Sequence, residues 1–196
     1  MAPFSQELEP PGNPGWFKAF DLAWLRQRGH EVVGVELSPI ACRDFFHERG
    51  VEPTVSEGKR FTIWSHDGIE LLCGDYFDLS ADDLGDVRLI YDRAALIALP
   101  EHMRQDYVDQ LLRITPQAER MLLITLQYPE QDSFGGPPFS VPDAEVHARF
   151  GKTHEIQCLY QQAIPEDDPL VERGMQAGME SVFLLVRRPG AEGNQD

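Results

Sequence analysis

Three short segments place charged or aromatic side chains directly after runs that read as buried strands, which is where an α/β fold gathers its chemistry. The first holds Glu36, near the end of Glu31-Val-Val-Gly-Val-Glu-Leu37. A carboxylate at such a strand end can accept both hydroxyl hydrogens of a ribose. The same residue also serves as a plain charge before a helix, which is the commoner use. The second is Cys73-Gly-Asp-Tyr-Phe-Asp-Leu79, where Asp75, Tyr76 and Phe77 follow a glycine. A turn of this composition can hold an adenine ring between apolar side chains while a carboxylate or backbone group reads its amine. The competing reading is that both aromatics simply cap the core. The third is Tyr91-Asp-Arg-Ala-Ala-Leu96. Asp92 and Arg93 stand at the edge of a core, where breaking a buried charge pair costs about 3–5 kcal/mol, so they are either functional or a structural ion pair. His30, His47, His66, His102, His147 and His154 are scattered and read as surface residues, with no obvious base among them.

A regular framework must carry these residues, and the pattern around them supplies one. Phe20, Leu22, Ala23 and Leu25 suit a short helix to Arg28, stopped by Gly29. The run 31–37 is short and β-branched, a buried strand, and Ser38-Pro39 opens a helix to about Arg49 that Gly50 ends. Residues 60–65 and 69–73 flank Asp67-Gly68, a pair that favours a tight hairpin turn. Residues 87–91 and 120–127 read as further buried strands. Between them Met103, Tyr107, Leu111 and Ile114 share one face of a helix that begins after Pro100. The loop Gly135-Gly-Pro-Pro-Phe139 interrupts the pattern; a helix over 143–150 and a closing antiparallel pair, 153–159 with 180–187, follow. Buried strands alternating with helices predict a doubly wound, mostly parallel sheet.

With 196 residues and 42% hydrophobic content, one core and one domain are expected. Seventeen Lys plus Arg against 33 Asp plus Glu give a net charge of −16, which repels nucleic-acid phosphates and anionic membrane surfaces. A small molecule is therefore the expected partner, and a monomer the expected state. Cys42, Cys73 and Cys158 form no Cys-x-x-Cys pair and leave an odd thiol, which argues against a disulfide framework and against a zinc site. No apolar run approaches the ~20 residues that span a bilayer. Residues 1–14 lack the basic start and apolar centre of a signal peptide, so a cytoplasmic location is expected.

Taken in order, Gly29-His-Glu-Val-Val-Gly-Val-Glu-Leu-Ser38, the run 73–79, Tyr91-Asp-Arg-Ala-Ala-Leu-Ile-Ala-Leu-Pro100, Leu123-Ile-Thr-Leu126 and Gly136-Pro-Pro-Phe-Ser-Val141 closely resemble the bacterial thiopurine S-methyltransferases. The resemblance runs from about Lys18 to the C-terminus. It implies a seven-strand, Rossmann-like methyltransferase sheet with an antiparallel C-terminal pair. It also implies S-adenosyl-L-methionine as methyl donor and the sulfur of aromatic or heterocyclic thiols as acceptor, extending to selenium or tellurium compounds. It assigns Glu36 to the ribose, Leu37 to the cofactor site, Asp75 and Tyr76 to the adenine turn, and Arg93 to the cofactor side and an acidic substrate. Asp92 would hold Arg93, making that pair the catalytic candidates, and Pro137, Pro138 and Phe139 would shape the acceptor pocket.

One stretch departs from the resemblance. Such relatives carry a buried strand, a Leu-Cys-Gly-Lys turn and a tryptophan-bearing lid before the first helix, whereas Pro14-Gly-Trp-Phe17 stands here. Residues 1–17 are therefore expected to be an atypical, loosely ordered segment arising from an incorrect start or a shifted reading frame. Residues 18–188 would form the methyltransferase domain without its central first strand, and 189–196 a disordered tail. Two other functions fit part of the pattern. One is a non-catalytic remnant that binds cofactor weakly or not at all. The other is a nicotinamide oxidoreductase, which Glu36 alone would suit, but no Gly-x-Gly-x-x-Gly precedes the first helix.

Overall fold

In a computed structural model, which describes residues 19–129 and 134–190, helix α1 (Ala19–Gln27) packs closely on strand β1 (Val32–Glu36) because Gly34 has no side chain. A Cβ there would stand 3.4 Å from Leu22 Cδ1 and 2.8 Å from Leu71 Cδ2. After β1, Ser38 accepts the Ala41 N–H and Pro39 takes the first helical position, which starts α2 (Pro39–His47). The helix returns Cys42, Phe45 and Phe46 to a core shared with Val32, Ile69 and Leu71.

Strands β2 (Thr54–Glu57), β3 (Thr62–His66) and β4 (Ile69–Cys73) then form an antiparallel meander. The turn between β3 and β4 has φ of 43° at Asp67 and 72° at Gly68, the doubly left-handed geometry that an Asp-Gly hairpin favours. Strand β2 escapes sequence reading because all four of its residues are exposed and give no burial alternation. Strand β4 runs parallel to β1 and pairs Cys73 with Glu36.

The rest of the chain supplies α3 (Ala81–Leu84), β5 (Leu89–Asp92), α4 (Ala95–Ala98), α5 (Glu101–Ile114), β6 (Arg120–Gln127), α6 (Asp143–Phe150), β7 (His154–Ala163), α7 (Pro169–Glu172) and β8 (Met179–Arg187). Strand β6 lies parallel to β5, and β8 is antiparallel to both β6 and β7, so the expected closing pair is present. Tyr107, Val108 and Leu111 of α5 pack on Met121, Leu123, Phe183 and Leu185 in the main core.

Among the described residues the strands form two four-stranded sheets, β1-β4-β3-β2 and β5-β6-β8-β7, and not the continuous seven-strand sheet expected from the sequence. The division falls between β1 and β5, each of which has one strand neighbour among the described residues, a parallel one. Residues 1–17 and 191–196, where an atypical segment and most of a tail are expected, lie outside the described residues. No described helix is long and apolar enough to cross a membrane, and no described group of three or more His, Cys, Asp or Glu is placed to hold a metal ion.

Candidate active site

Each candidate carboxylate sits at or just past the carboxyl end of a strand, and the local sequence sets how it is held. At the end of β1, Glu36 Oε1 accepts the Ser38 N–H at 2.9 Å, while the Glu36 carbonyl accepts the Gly74 N–H at 3.0 Å and ties the end of β1 to that of β4. Leu37 follows and is 72% exposed. Past β4, Gly74 lies so close to the Phe61 ring that a Cβ would overlap it. The chain then turns. Asp75 Oδ1 accepts the Phe77 N–H at 2.9 Å and caps a single 3-10 turn, Tyr76–Asp78. Gln110 of α5, buried, donates to the carbonyls of Tyr76 at 3.2 Å and Leu79 at 2.9 Å, so the turn is fixed to the helix behind it.

The two aromatics of this turn divide their work. The Tyr76 ring lies 4.9 Å from the Tyr107 ring, and its hydroxyl donates to the Tyr107 carbonyl at 3.2 Å. Burial, and then the nearby Asp92 charge, push that hydroxyl well above the ordinary tyrosine range. Phe77 meets Tyr76 edge-on and stays 38% exposed.

Asp92 is 4% exposed. Its Oδ1 accepts the Ala95 N–H at 3.0 Å at the start of α4, and its Oδ2 accepts the Tyr107 hydroxyl at 2.8 Å. Burial raises the carboxyl above the usual carboxylate range, and these donors oppose it. The expected Asp92–Arg93 pair is not among the described ion pairs. Arg93 Nη1 instead lies 3.1 and 3.0 Å from the two carboxylate oxygens of Asp21 on α1. Successive residues at a strand end point to opposite sides, so Asp92 turns toward α5 and Arg93 toward α1. Burial works against the Arg93 charge, but the Asp21 carboxylate outweighs it and holds the guanidinium above its ordinary range.

The proline loop is anchored beside the same strand end. Phe139 donates its N–H to the Ile97 carbonyl at 2.6 Å, the Tyr128 hydroxyl donates to the Pro138 carbonyl at 2.7 Å, and Arg173 Nη2 donates to the Pro137 carbonyl at 3.2 Å. Ile97 belongs to α4, the helix that starts after Arg93. Both peptide bonds of Gly136-Pro137-Pro138 are cis. Gly136 has φ of 51°, and a Cβ on it would overlap the Phe139 ring.

The candidates thus fall into two groups: Glu36, Leu37 and Asp75 on the first sheet, and Asp92, Arg93, Pro137, Pro138 and Phe139 on the second. Tyr76 and Tyr107 join them, since Tyr76 rests on Tyr107 and the Tyr107 hydroxyl holds Asp92. Sequence reasoning missed Asp21, for which no local pattern exists, and Tyr107, which it took for part of an apolar stripe. A hydroxyl on such a stripe needs a buried partner, and that was the available signal. The histidines need one correction: His154 is 3% exposed and not on the surface. A cleft of about 460 Å³ lined by Arg60, Phe77 and Arg113 adjoins the 3-10 turn, but none of the strand-end carboxylates lines it.

Comparison with known proteins bears on the family and the fold. The family model for thiopurine S-methyltransferase matches residues 13–188. Thiopurine S-methyltransferases of Marinobacter nauticus and Nitrosospira multiformis are 47% and 46% identical over 173 and 172 residues, in each case 87% of this chain and 78% of the relative. Among solved structures, the YcgJ protein from Bacillus gives a TM-score of 0.58 at 15% identity, covering 88% of this chain and 89% of that one. An S-adenosylmethionine-dependent methyltransferase from Anabaena variabilis gives 0.58 at 15%, covering 84% and 71%.

Proposed function

The chain belongs to the thiopurine S-methyltransferase family and has an α/β methyltransferase fold; on that premise we propose that it moves the methyl group of S-adenosyl-L-methionine onto the sulfur of an aromatic or heterocyclic thiol. The observation that carries the reading is a continuous linkage between strand ends. The Glu36 carbonyl meets Gly74, Tyr76 rests on Tyr107, Tyr107 holds Asp92, and Arg93 follows Asp92 in the chain. The linkage supports one nucleoside-sized hollow served by β1, β4 and β5. In the same reading, β1 and β5 flank the place of a central strand, and the two sheets are halves of one doubly wound sheet within a domain of residues 18–188.

The residues present fit the cofactor. Glu36 offers a carboxylate at a strand end for the ribose hydroxyls, Leu37 and Phe77 offer exposed apolar surface for the adenine, and Asp75 offers an acceptor for its amine. When bound, S-adenosylmethionine supplies an electrophilic methyl group on a sulfonium centre. The chain's own part is to bind and to orient. Arg93, fixed by Asp21, presents positive charge to an anionic acceptor, and Pro137, Pro138 and Phe139 shape the pocket that receives its ring. Heterocyclic thiols ionise easily, so the site needs little proton transfer, and positioning alone can supply roughly 7–11 kcal/mol of the barrier. Selenolates and tellurolates are soft nucleophiles of the same kind, and the acceptor range extends to them.

The test is a methylation assay with S-adenosylmethionine against matched aromatic, heterocyclic and aliphatic thiols, run beside calorimetric titration of the cofactor. Methylation of the first two classes with poor turnover of the third is expected. Cofactor binding without transfer to any thiol overturns the acceptor class, and no heat at millimolar cofactor favours a non-catalytic remnant.

A further inference from the structure

The pole of the second sheet farthest from Asp92 and Arg93 carries a cleft of about 470 Å³ that the methyl-transfer reading leaves unused. Strands β5 and β6 start there and β8 ends there, so Arg88, Glu119, Arg120, Arg187 and Arg188 gather at one end of the sheet. The backbone fixes their register: Glu119 donates its N–H to the Arg88 carbonyl and Arg187 donates to the Glu119 carbonyl, each at 2.9 Å. Four of the chain's 17 basic residues line this cleft and one acid joins them, on a molecule whose net charge is −16.

The acids nearby leave donors over. Arg88 is held by Asp86 at 2.9 Å and by Glu119 at 3.4 Å, and Arg188 reaches Glu155 only at 3.5 Å. Arg187 donates from Nη1 to the Pro116 carbonyl, but its Nε is buried with no partner among the described residues. The Arg120 side chain has no hydrogen bond or ion pair among the described residues. The exposed guanidinium donors of Arg120 and Arg188 are what an oxygen-rich anion in this cation-lined cleft would meet. His154, the register partner of Arg187, does not add to the positive charge at neutral pH; burial, and then the Arg187 charge, hold it down to about 4.

We infer that this cleft is a second, non-catalytic site that binds a small multivalent phosphate anion through Arg120, Arg187 and Arg188. Guanidinium forks match phosphate oxygens two at a time, which a carboxylate exploits less fully when several forks converge. The volume admits a diphosphate-sized group.

The test uses the full chain with inorganic pyrophosphate as probe, by calorimetry at neutral pH and ionic strength held constant with sodium chloride, and with succinate as the carboxylate arm. Saturable binding of pyrophosphate is expected, with an affinity at least about tenfold above that for succinate. Arg187→Gln and, at an exposed position, Arg120→Gln should each weaken it at least about tenfold, the value of one charge-assisted contact, while Arg43→Gln on α2 should not. Should Arg187→Gln fail to fold, Arg120→Gln alone carries the comparison. Absence of saturable heat at about ten millimolar pyrophosphate, equal affinity for succinate, or equal weakening by Arg43→Gln overturns the site. Because the cleft lies at the far pole from the strand ends that serve the cofactor, each of these results is independent of whether the chain transfers a methyl group.

Discussion

At the scale of single residues, the decisive feature is how two neighbouring charges are separated. Asp92 is turned inward, where it caps α4 and holds Tyr107; Arg93 is turned outward, where Asp21 fixes it from 72 positions away. Asp21 is thus a positioning residue for Arg93. Replacing it as Asp21→Asn should leave the fold intact, since the pair is partly exposed, with side chains 38% and 23% accessible. It should lower kcat/KM for an anionic thiol about tenfold, the scale of one charge-assisted contact, and change that for a neutral thiol much less. An equal loss with both acceptors would show that Arg93 does not face the acceptor's charge. His154 supplies a stability test. Burial, and then the Arg187 charge, lower its imidazole from 6.5 to about 4, so the folded state holds it neutral while the unfolded state protonates it in that window. The unfolded state then binds more protons, and stability rises with pH from 4 to 6.5 and is lost as pH falls through that range, by up to about 3 kcal/mol. Chemical denaturation of His154→Gln across the same range should give a flatter profile; an unchanged slope would locate the acid sensitivity elsewhere.

At the scale of elements, the readable parts of the sequence are those long enough to show a period. Helices α2, α5 and α6 and strands β1, β4 and β6 follow apolar spacing and stop signals, because each buries one face or one row against the core. The elements that escaped, β2, α3, α4 and α7, are four residues each, too short to complete a recognisable pattern, and β2 buries nothing. Of the site, the positions of Glu36, Asp75, Asp92 and Arg93 at element ends could be read, because turn residues and buried strands mark those ends. Their partners could not, because Asp21, Tyr107 and Gln110 reach them across the tertiary fold. The proline loop illustrates the difference: its composition announces a turn, but only its anchors, Ile97, Tyr128 and Arg173, show which helix it leans on. Gly136 is the position where this loop tolerates least. With φ of 51° and the Phe139 ring filling the space a side-chain methyl would need, Gly136→Ala strains the backbone by about 1–2 kcal/mol and displaces Phe139. Steady-state kinetics should show a raised KM for the thiol with the KM for cofactor unchanged; a change in the latter alone would remove the loop from the acceptor pocket.

For the whole molecule, the two sheets differ in how much core supports them. The sheet of β5 to β8 rests on a cluster of 16 buried side chains, the sheet of β1 to β4 on one of six and a smaller one of four that includes Ile114 of α5, among the described residues. What couples them is slender: Phe61 and Leu72 meeting Ile114 of α5, Tyr76 on Tyr107, Gln110 of α5 on the carbonyls of Tyr76 and Leu79, and the Asp21–Arg93 pair. Proteins open in cooperative units whose free energies follow such differences in buried support, so native-state hydrogen exchange should find two. Amides of β6 and β8 should exchange only through global unfolding, while those of β1 and β4 exchange through a smaller opening with weaker dependence on denaturant. A ligand held by Glu36 and Asp75 on one sheet and by Arg93 on the other must close that opening before it binds, and binding stabilises the closed state by about 2.7 kcal/mol at a hundredfold excess over Kd. S-adenosylmethionine at that excess should therefore slow exchange in β1 and β4 roughly a hundredfold and bring it toward the global rate. Uniform exchange in both sheets without ligand would mean that the slender contacts already make one cooperative unit, and slowing confined to β5 and β6 would mean that the first sheet takes no part in holding the cofactor.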